Sequence, residues 1–351
     1  MNKLVIIGNG FDLAHGLKTR YSDFILWYLN DITEKRNKVP KDGIEIYEDD
    51  LLEIKYHRHF FDHQFKDIKD FLEFTKGNGY LSIKYKHPFI EELIYELADA
   101  NWVDIEYKYY DSIIGFYRLY EKGQLDHRGL EKNIQELNHC FSNIKNELEK
   151  YLSQFEINNR IIDREIETHI NKLFSEIEIY EQVYFLNFNY TSTIEQYTRY
   201  TPKGYSINYI HGELNSKKNP IIFGYGDEMD LYYEKIERLN SNESLKYFKS
   251  FSYLKTKNYQ DLSSFIKSNQ YEVHIIGHSC GLSDRILLNS VFEHSNCHKI
   301  NLFFHEKDQS SNDYFDKTIE ISRHFKSESK HRMRNIIASE EESKPLKRFQ
   351  P

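Results

Sequence analysis

The chain is poor in several features that would have settled its class at once. It has only three cysteines, Cys140, Cys280 and Cys297, in 351 residues, too few and too scattered for a disulfide framework. No C-x-x-C pair occurs, so the ligand set of a structural zinc ribbon is not there. Long apolar runs are missing too. The opening run stops at Ile7, before Gly8 and Asn9, well short of a signal-peptide core or a membrane span, and no later window reaches that length. A cytoplasmic protein that does not enter a membrane is expected. Positive charge is not in excess: 47 Lys and Arg against 55 Asp and Glu leave a net charge of −8, which argues against holding nucleic acid in a general basic field. H-E-x-x-H is absent as well. His59 and His63 stand four apart in a cluster with His57 and Asp62, but Phe60 occupies the place of the glutamate, so a solvated histidine face is expected and no metal. No internal repeat is visible.

What is present is a folded protein's supply of side chains, 39% apolar and 29% charged, with an aromatic bias. The 28 Tyr and 24 Phe against 2 Trp predict an aromatic-rich core. Six short β-branched or aromatic runs, at 3–7, 183–187, 206–210, 220–223, 272–276 and 299–304, read as buried strands. Most end at Gly, Asn or His and several lead into helical periodicity, the pattern of a parallel sheet with crossover helices. The fold expected is α/β, a Rossmann-like parallel sheet flanked by helices, with a large helical insertion. Helices are expected at 21–32, at 88–98 and, most clearly, at 128–155, where Leu130, Ile134, Leu137, Phe141, Ile144, Leu148, Leu152 and Phe155 step by threes and fours. The polar stretch 34–50 reads as a loop. Residues 1–325 are expected to form one domain with the insertion at about 21–175, and 326–351 a poorly packed polar tail.

In such sheets ligands bind beyond the carboxyl ends of the strands, and four motifs stand there. Gly8-Asn9-Gly10-Phe11-Asp12-Leu13-Ala14-His15-Gly16 follows the first strand. Its glycines would let backbone amides approach a phosphate, or simply make a tight strand-to-helix turn. Asn187-Phe188-Asn189-Tyr190-Thr191 closes the second strand, where an asparagine also serves as an ordinary helix cap. His211-Gly212 closes the third, offering a base near neutral pH or a plain turn. Gly277-His278-Ser279-Cys280-Gly281 matches G-x-S-x-G, the nucleophile elbow of α/β-hydrolases. That rival needs an acid and a histidine downstream, and only one further strand is expected after it.

In their order, these motifs resemble the bacterial abortive-infection AbiH family. The opening residues 6–24, then Phe188-Asn189-Tyr190-Thr191, Ile210-His211-Gly212 and Ile276-Gly277-His278-Ser279 carry the resemblance, which implies an anti-phage protein. More distantly they are similar to the motifs of sirtuin-like proteins, a glycine turn, then T-x-N-x-D, then H-G, then G-T-S. Thr191 stands here in place of the usual Asp, Asp12 in place of Ser, and Lys18-Thr19 in place of an I-P pair. The absent zinc ribbon turns that resemblance from protein deacetylation toward the bacterial immune proteins that degrade NAD.

The resemblance implies NAD, or a related adenine nucleotide, as substrate or ligand. Asn189 would orient a water or ribose hydroxyl, His211 would act as base, and Asp12 would supply negative charge or bind a ribose hydroxyl. Gly8, Asn9, Gly10 and Phe11 of the first turn, with Gly277, Ser279 and Asp284 of the fourth, would hold the diphosphate and adenosine. Loss of neutral nicotinamide from a cationic bond needs no general acid, only positioning and local negative charge. A phage-derived trigger, a second defence subunit or a second copy of the chain are the partners expected. A nucleotide-binding sensor without catalysis and a serine hydrolase using Ser279 stay open.

Overall fold

The computed structural model describes residues 1–35, 45–56, 64–77, 81–99, 104–155, 162–198, 204–306 and 311–346. The histidine cluster at 57–63 lies outside them. Among the described residues nine strands are present: β1 (Asn2–Ile7), β2 (Glu45–Glu48), β3 (Leu52–Tyr56), β4 (Leu81–Tyr85), β5 (Val183–Asn187), β6 (Tyr205–Tyr209), β7 (Tyr271–Ile276), β8 (Cys297–Phe304) and β9 (Lys344–Pro345). The chain divides into two compact units, one of 1–18, 155–230 and 248–351, the other of 19–154 and 231–247.

The first unit is built on a six-stranded sheet in the order β6-β5-β1-β7-β8-β9, every pair parallel. Counted within this sheet, that is the 3-2-1-4-5-6 order of the doubly wound dinucleotide-binding fold. β1 is central and buried along its whole length, as a Leu-Val-Ile-Ile run covered on both faces should be. Alternation sends Leu4 and Ile6 into one core with Leu186, Val273, Ile275 and Leu302. There the helices Asn258–Ser268 and Arg285–Phe292 supply Leu262, Phe265, Leu288 and Phe292. Val5 and Ile7 face the other way, against Ile166, Ile170 and Leu173 of the helix Arg164–Ser175.

Residues 220–223 do not form the predicted strand. Ile221, Ile222 and Phe223 are buried and pair with no strand of the sheet, although Ile222 N–H donates to the His211 carbonyl, just past β6, at 2.7 Å. The chain folds back there against Gly212, whose φ of +85° and lack of a Cβ admit the Pro220 carbonyl. The described part of the tail is packed rather than loose. Ala338 and Leu346 are buried, and Lys344 and Pro345 pair with Phe303 and Phe304. The sheet's edge tolerates a proline because no further strand needs its amide.

The second unit is not purely helical. Besides the helices Tyr21–Lys35, Ile68–Gly77, Pro88–Asp99, Ile105–Glu121 and His127–Leu152, it holds an antiparallel sheet, β2-β3-β4. β2 falls inside the stretch expected to be a loop. The apolar Ile46 of this strand is 58% exposed, so the segment offers no buried apolar face for its sequence to reveal. The long helix is capped by Asp126, which accepts from Gly129 N–H at 2.7 Å. It buries the predicted stripe from Leu130 to Leu152 but ends there, leaving Phe155 half-buried beyond its last turn, with Phe141 stacked on Tyr109 at 4.2 Å.

Candidate active site

Register brings four turns together. Ile7 lies opposite both Asn187 and Ile276, and Asn187 lies opposite Tyr209, so Gly8, Phe188, Ile210 and Gly277 leave the sheet side by side. The turns after β1 and β7 touch. A Cβ on Gly277, whose φ is +75°, would lie 2.1 Å from Phe11 N, and one on Gly10 would lie 2.7 Å from the Gly277 carbonyl oxygen. Gly10 N–H donates to that oxygen at 2.8 Å and Gly8 N–H to the Ile276 carbonyl at 3.2 Å. These two amides were expected to hold a diphosphate. They are committed to the turn-on-turn contact, because each glycine is where one backbone must pass against another. Phe11 is likewise a core residue, its ring 4.5 Å from His15 and 5.7 Å from Tyr197. Asn9 is exposed.

The second turn is an asparagine scaffold. Asn187 donates from Nδ2 to the Thr191 carbonyl (3.1 Å) and accepts from Asn189 N–H at Oδ1 (3.1 Å). Asn189 in turn donates from Nδ2 to the Gly8 carbonyl at 3.0 Å. Its amide plane is thereby fixed, and among the described residues Asn189 Oδ1 accepts no hydrogen bond. Asp12 is 1% exposed and accepts from Thr191 Oγ1 at 2.6 Å. It ties the first turn to the second and is buried beside the strand ends. Thr191, the departure from the sirtuin-like pattern, is the residue it holds.

The third and fourth turns meet through charge. His211 Nε2 lies 3.1 Å from Asp284 Oδ1 and 3.2 Å from the Tyr253 hydroxyl, and the ring also donates to the Phe188 carbonyl. The same Asp284 oxygen accepts from Lys249 Nζ at 2.8 Å, and Asp284 Oδ2 lies 3.7 Å from His278 Nε2. His278 Nδ1 accepts from Cys280 N–H at 2.9 Å, which places the proton of the neutral ring on Nε2, facing the carboxylate. All four side chains are buried. Burial would raise the Asp284 pKa, but Lys249 and the two histidines outweigh it and hold the carboxyl well below its ordinary range. Burial and Lys249 lower His211 against the pull of Asp284. Burial takes His278 down to about 3. The cluster is thus one ion pair, Lys249 with Asp284, flanked by two neutral imidazoles.

Ser279 is exposed, and among the described residues its hydroxyl bonds to no histidine. The nearest candidate, His278, is turned to Asp284. G-x-S-x-G is present as a string without the base that makes an elbow reactive. Of the residues singled out in the sequence, the fold gathers Gly8, Gly10, Asp12, Asn189, His211, Gly277 and Asp284 at one end of the sheet, and leaves Asn9 and Ser279 on its surface. It adds Lys249 and Tyr253, which no motif marks. A lysine between Phe248 and Ser250 carries no local sign of burial. Among the described residues no helix is long and apolar enough to cross a membrane, and no group of three or more His, Cys, Asp or Glu is placed to hold a metal ion.

Fold and site together define a doubly wound α/β protein with a buried histidine–carboxylate–lysine cluster behind the strand ends. The chain belongs to the bacteriophage abortive infection AbiH family, whose model matches residues 4–306, and family membership gives it a role in abortive infection by phage. No curated protein and no solved structure matches it.

Proposed function

We propose that the protein binds NAD over the carboxyl ends of β1, β5, β6 and β7 and hydrolyses it to nicotinamide and ADP-ribose, as the effector step of abortive infection. One observation carries the reading: the Asn189 carboxamide is anchored by the bond from its Nδ2 to the Gly8 carbonyl, with the backbone N–H of the same residue bonded to Asn187, while its oxygen is left to accept from a ligand. An acceptor fixed in this way can position a ribose hydroxyl or a water without paying for its own ordering. Because the turns after β1 and β7 are closed on each other, the dinucleotide lies across them, against Asn9 and Ser279, and not between them. His211 is kept neutral by burial and by Lys249, which suits a proton acceptor at neutral pH. Water adds to the ribose C1′, and the C1′–N bond breaks with its electron pair leaving on nicotinamide. The water's proton passes to His211, through one ordered water, and on to solvent. Asp284 stabilises the imidazolium while it lasts.

Purified protein incubated with NAD should release nicotinamide. Asn189→Ala and His211→Ala should each slow release roughly a hundredfold, and the double variant should be little worse, as for residues serving one step. In infected cells NAD should fall with the wild type and hold with either variant. A population protected from phage while its NAD stays level would overturn the reading. Calorimetric binding of NAD without turnover in those conditions would make the protein a sensor.

A further inference from the structure

We propose that Lys249 is the positioning residue of this site: its ammonium, bound to the very carboxylate oxygen that faces His211, keeps the positive charge of the cluster off the imidazole. The proposal builds on the reading of His211 as a proton acceptor, but the geometry that carries it is independent of any substrate. Lys249 is fully buried at its side chain and lies 2.8 Å from Asp284 Oδ1, and His211 Nε2 lies 3.1 Å from the same atom. A buried carboxylate needs one cationic partner. Three candidates stand beside Asp284, Lys249, His211 and His278, and the lysine, the nearest, takes the part. Its seat is built for it: Lys249 N–H donates to the Tyr225 carbonyl at 2.9 Å, and Gly226 leaves room for its stem, since a Cβ there would lie 3.3 Å from Lys249 Cβ.

The groups facing the imidazole are Asp284, the Tyr253 hydroxyl and the Phe188 carbonyl, with Lys249 and His278 beyond Asp284. Lys317 and His324 stand behind His278. With Lys249 in place the ring stays neutral, with the Phe188 carbonyl on one side and Nε2 facing Asp284 and the Tyr253 hydroxyl. Without it, Asp284 has only the histidines to neutralise it, and His211, the nearer, takes a proton and becomes its ion-pair partner. An imidazole already protonated cannot accept a proton from water, so the lysine decides whether the base is available.

The test is the protonation of His211 followed by nitrogen NMR of histidine-labelled protein, its signal assigned by His211→Gln. In the wild type and in Lys249→Arg the ring should stay neutral from pH 8 to pH 5. In Lys249→Met its titration should move up by at least one pH unit relative to the wild type, and any NAD cleavage should lose rate as pH falls through the new midpoint. Lys249→Gln, which keeps a hydrogen bond without the charge, repeats the measurement. Should either uncharged variant fold poorly at pH 8, the proposal requires it to fold better near pH 6, where His211 can carry the missing charge. A ring that titrates as in the wild type, or a variant equally unfolded at both pH values, overturns the proposal. The two readings fail separately. A shifted titration with no NAD cleavage leaves the lysine's role standing and removes the hydrolase, whereas cleavage with an unshifted titration does the reverse.

Discussion

Single residues in this protein are governed by what burial leaves them to bond with. His274, on β7, is 5% exposed and among the described residues neither ring nitrogen has a hydrogen bond. It lies against His169, ring to ring at 5.1 Å. An unsatisfied buried polar group costs about 1–3 kcal/mol, so His274→Phe should stabilise the protein by about 1 kcal/mol at pH 7, read as a higher urea midpoint with an unchanged slope. A lower midpoint would mean that the histidine is bonded in solution. Ser279 is the opposite case, exposed and without a base. A fluorophosphonate probe should leave the protein unlabelled, and labelling lost in Ser279→Ala would return the hydrolase reading.

At the scale of elements, the contact between the turns after β1 and β7 is the feature on which the site rests. Gly277 combines a left-handed φ of +75° with a backbone neighbour 2.1 Å from where a Cβ would be, whereas Gly123 has a similar φ of +70° and open space around it. Gly123→Ala should therefore cost about 1 kcal/mol from conformation alone, and Gly277→Ala about 3 kcal/mol or more, since backbone must move. Urea unfolding of the two variants checks the difference, and equal costs would show that the turns do not touch. Gly10 falls under the same argument. A valine there would displace the turn after β7, so it reports on the fold before it reports on a ligand.

At the scale of the molecule, the sheet-based unit buries a set of histidines that its environment keeps neutral. Burial lowers His169 to about 4 and His278 to about 3, and lowers His274 well below its usual value. Each is protonated in the unfolded chain near pH 6.5 but stays neutral in the folded one until far lower pH. The unfolded state thus binds more protons below pH 6.5, and stability, fully present above that pH, is lost as pH falls toward 4. Each such histidine contributes a slope of about 1.4 kcal/mol per pH unit in that window. The melting temperature should be flat above pH 7 and fall steeply below 6.5, and His274→Phe should flatten the fall. A melting temperature unchanged down to pH 5 would show that the histidines are solvated.

How much of this was legible beforehand follows from how local each signal is. The strands β1, β5, β6, β7 and β8 and the long helix announce themselves by periodicity and run length, because one residue's burial repeats at a fixed step along its own element. Their order along the chain, and the motif closing each strand, sufficed to identify the family. β9 escaped because two residues carry no period, and the segment 220–223 misled because a buried apolar run need not ladder. At the site, sequence marked Asn189 and His211 by position alone. Only the tertiary structure could show that the Gly8 and Gly10 amides donate to the Ile276 and Gly277 carbonyls, that Asp12 is tied to Thr191, and that Lys249 reaches Asp284 from 35 residues away. Each of those depends on which donor lies within about 3 Å of which acceptor, and the packing of the sheet sets that distance, not spacing along the chain.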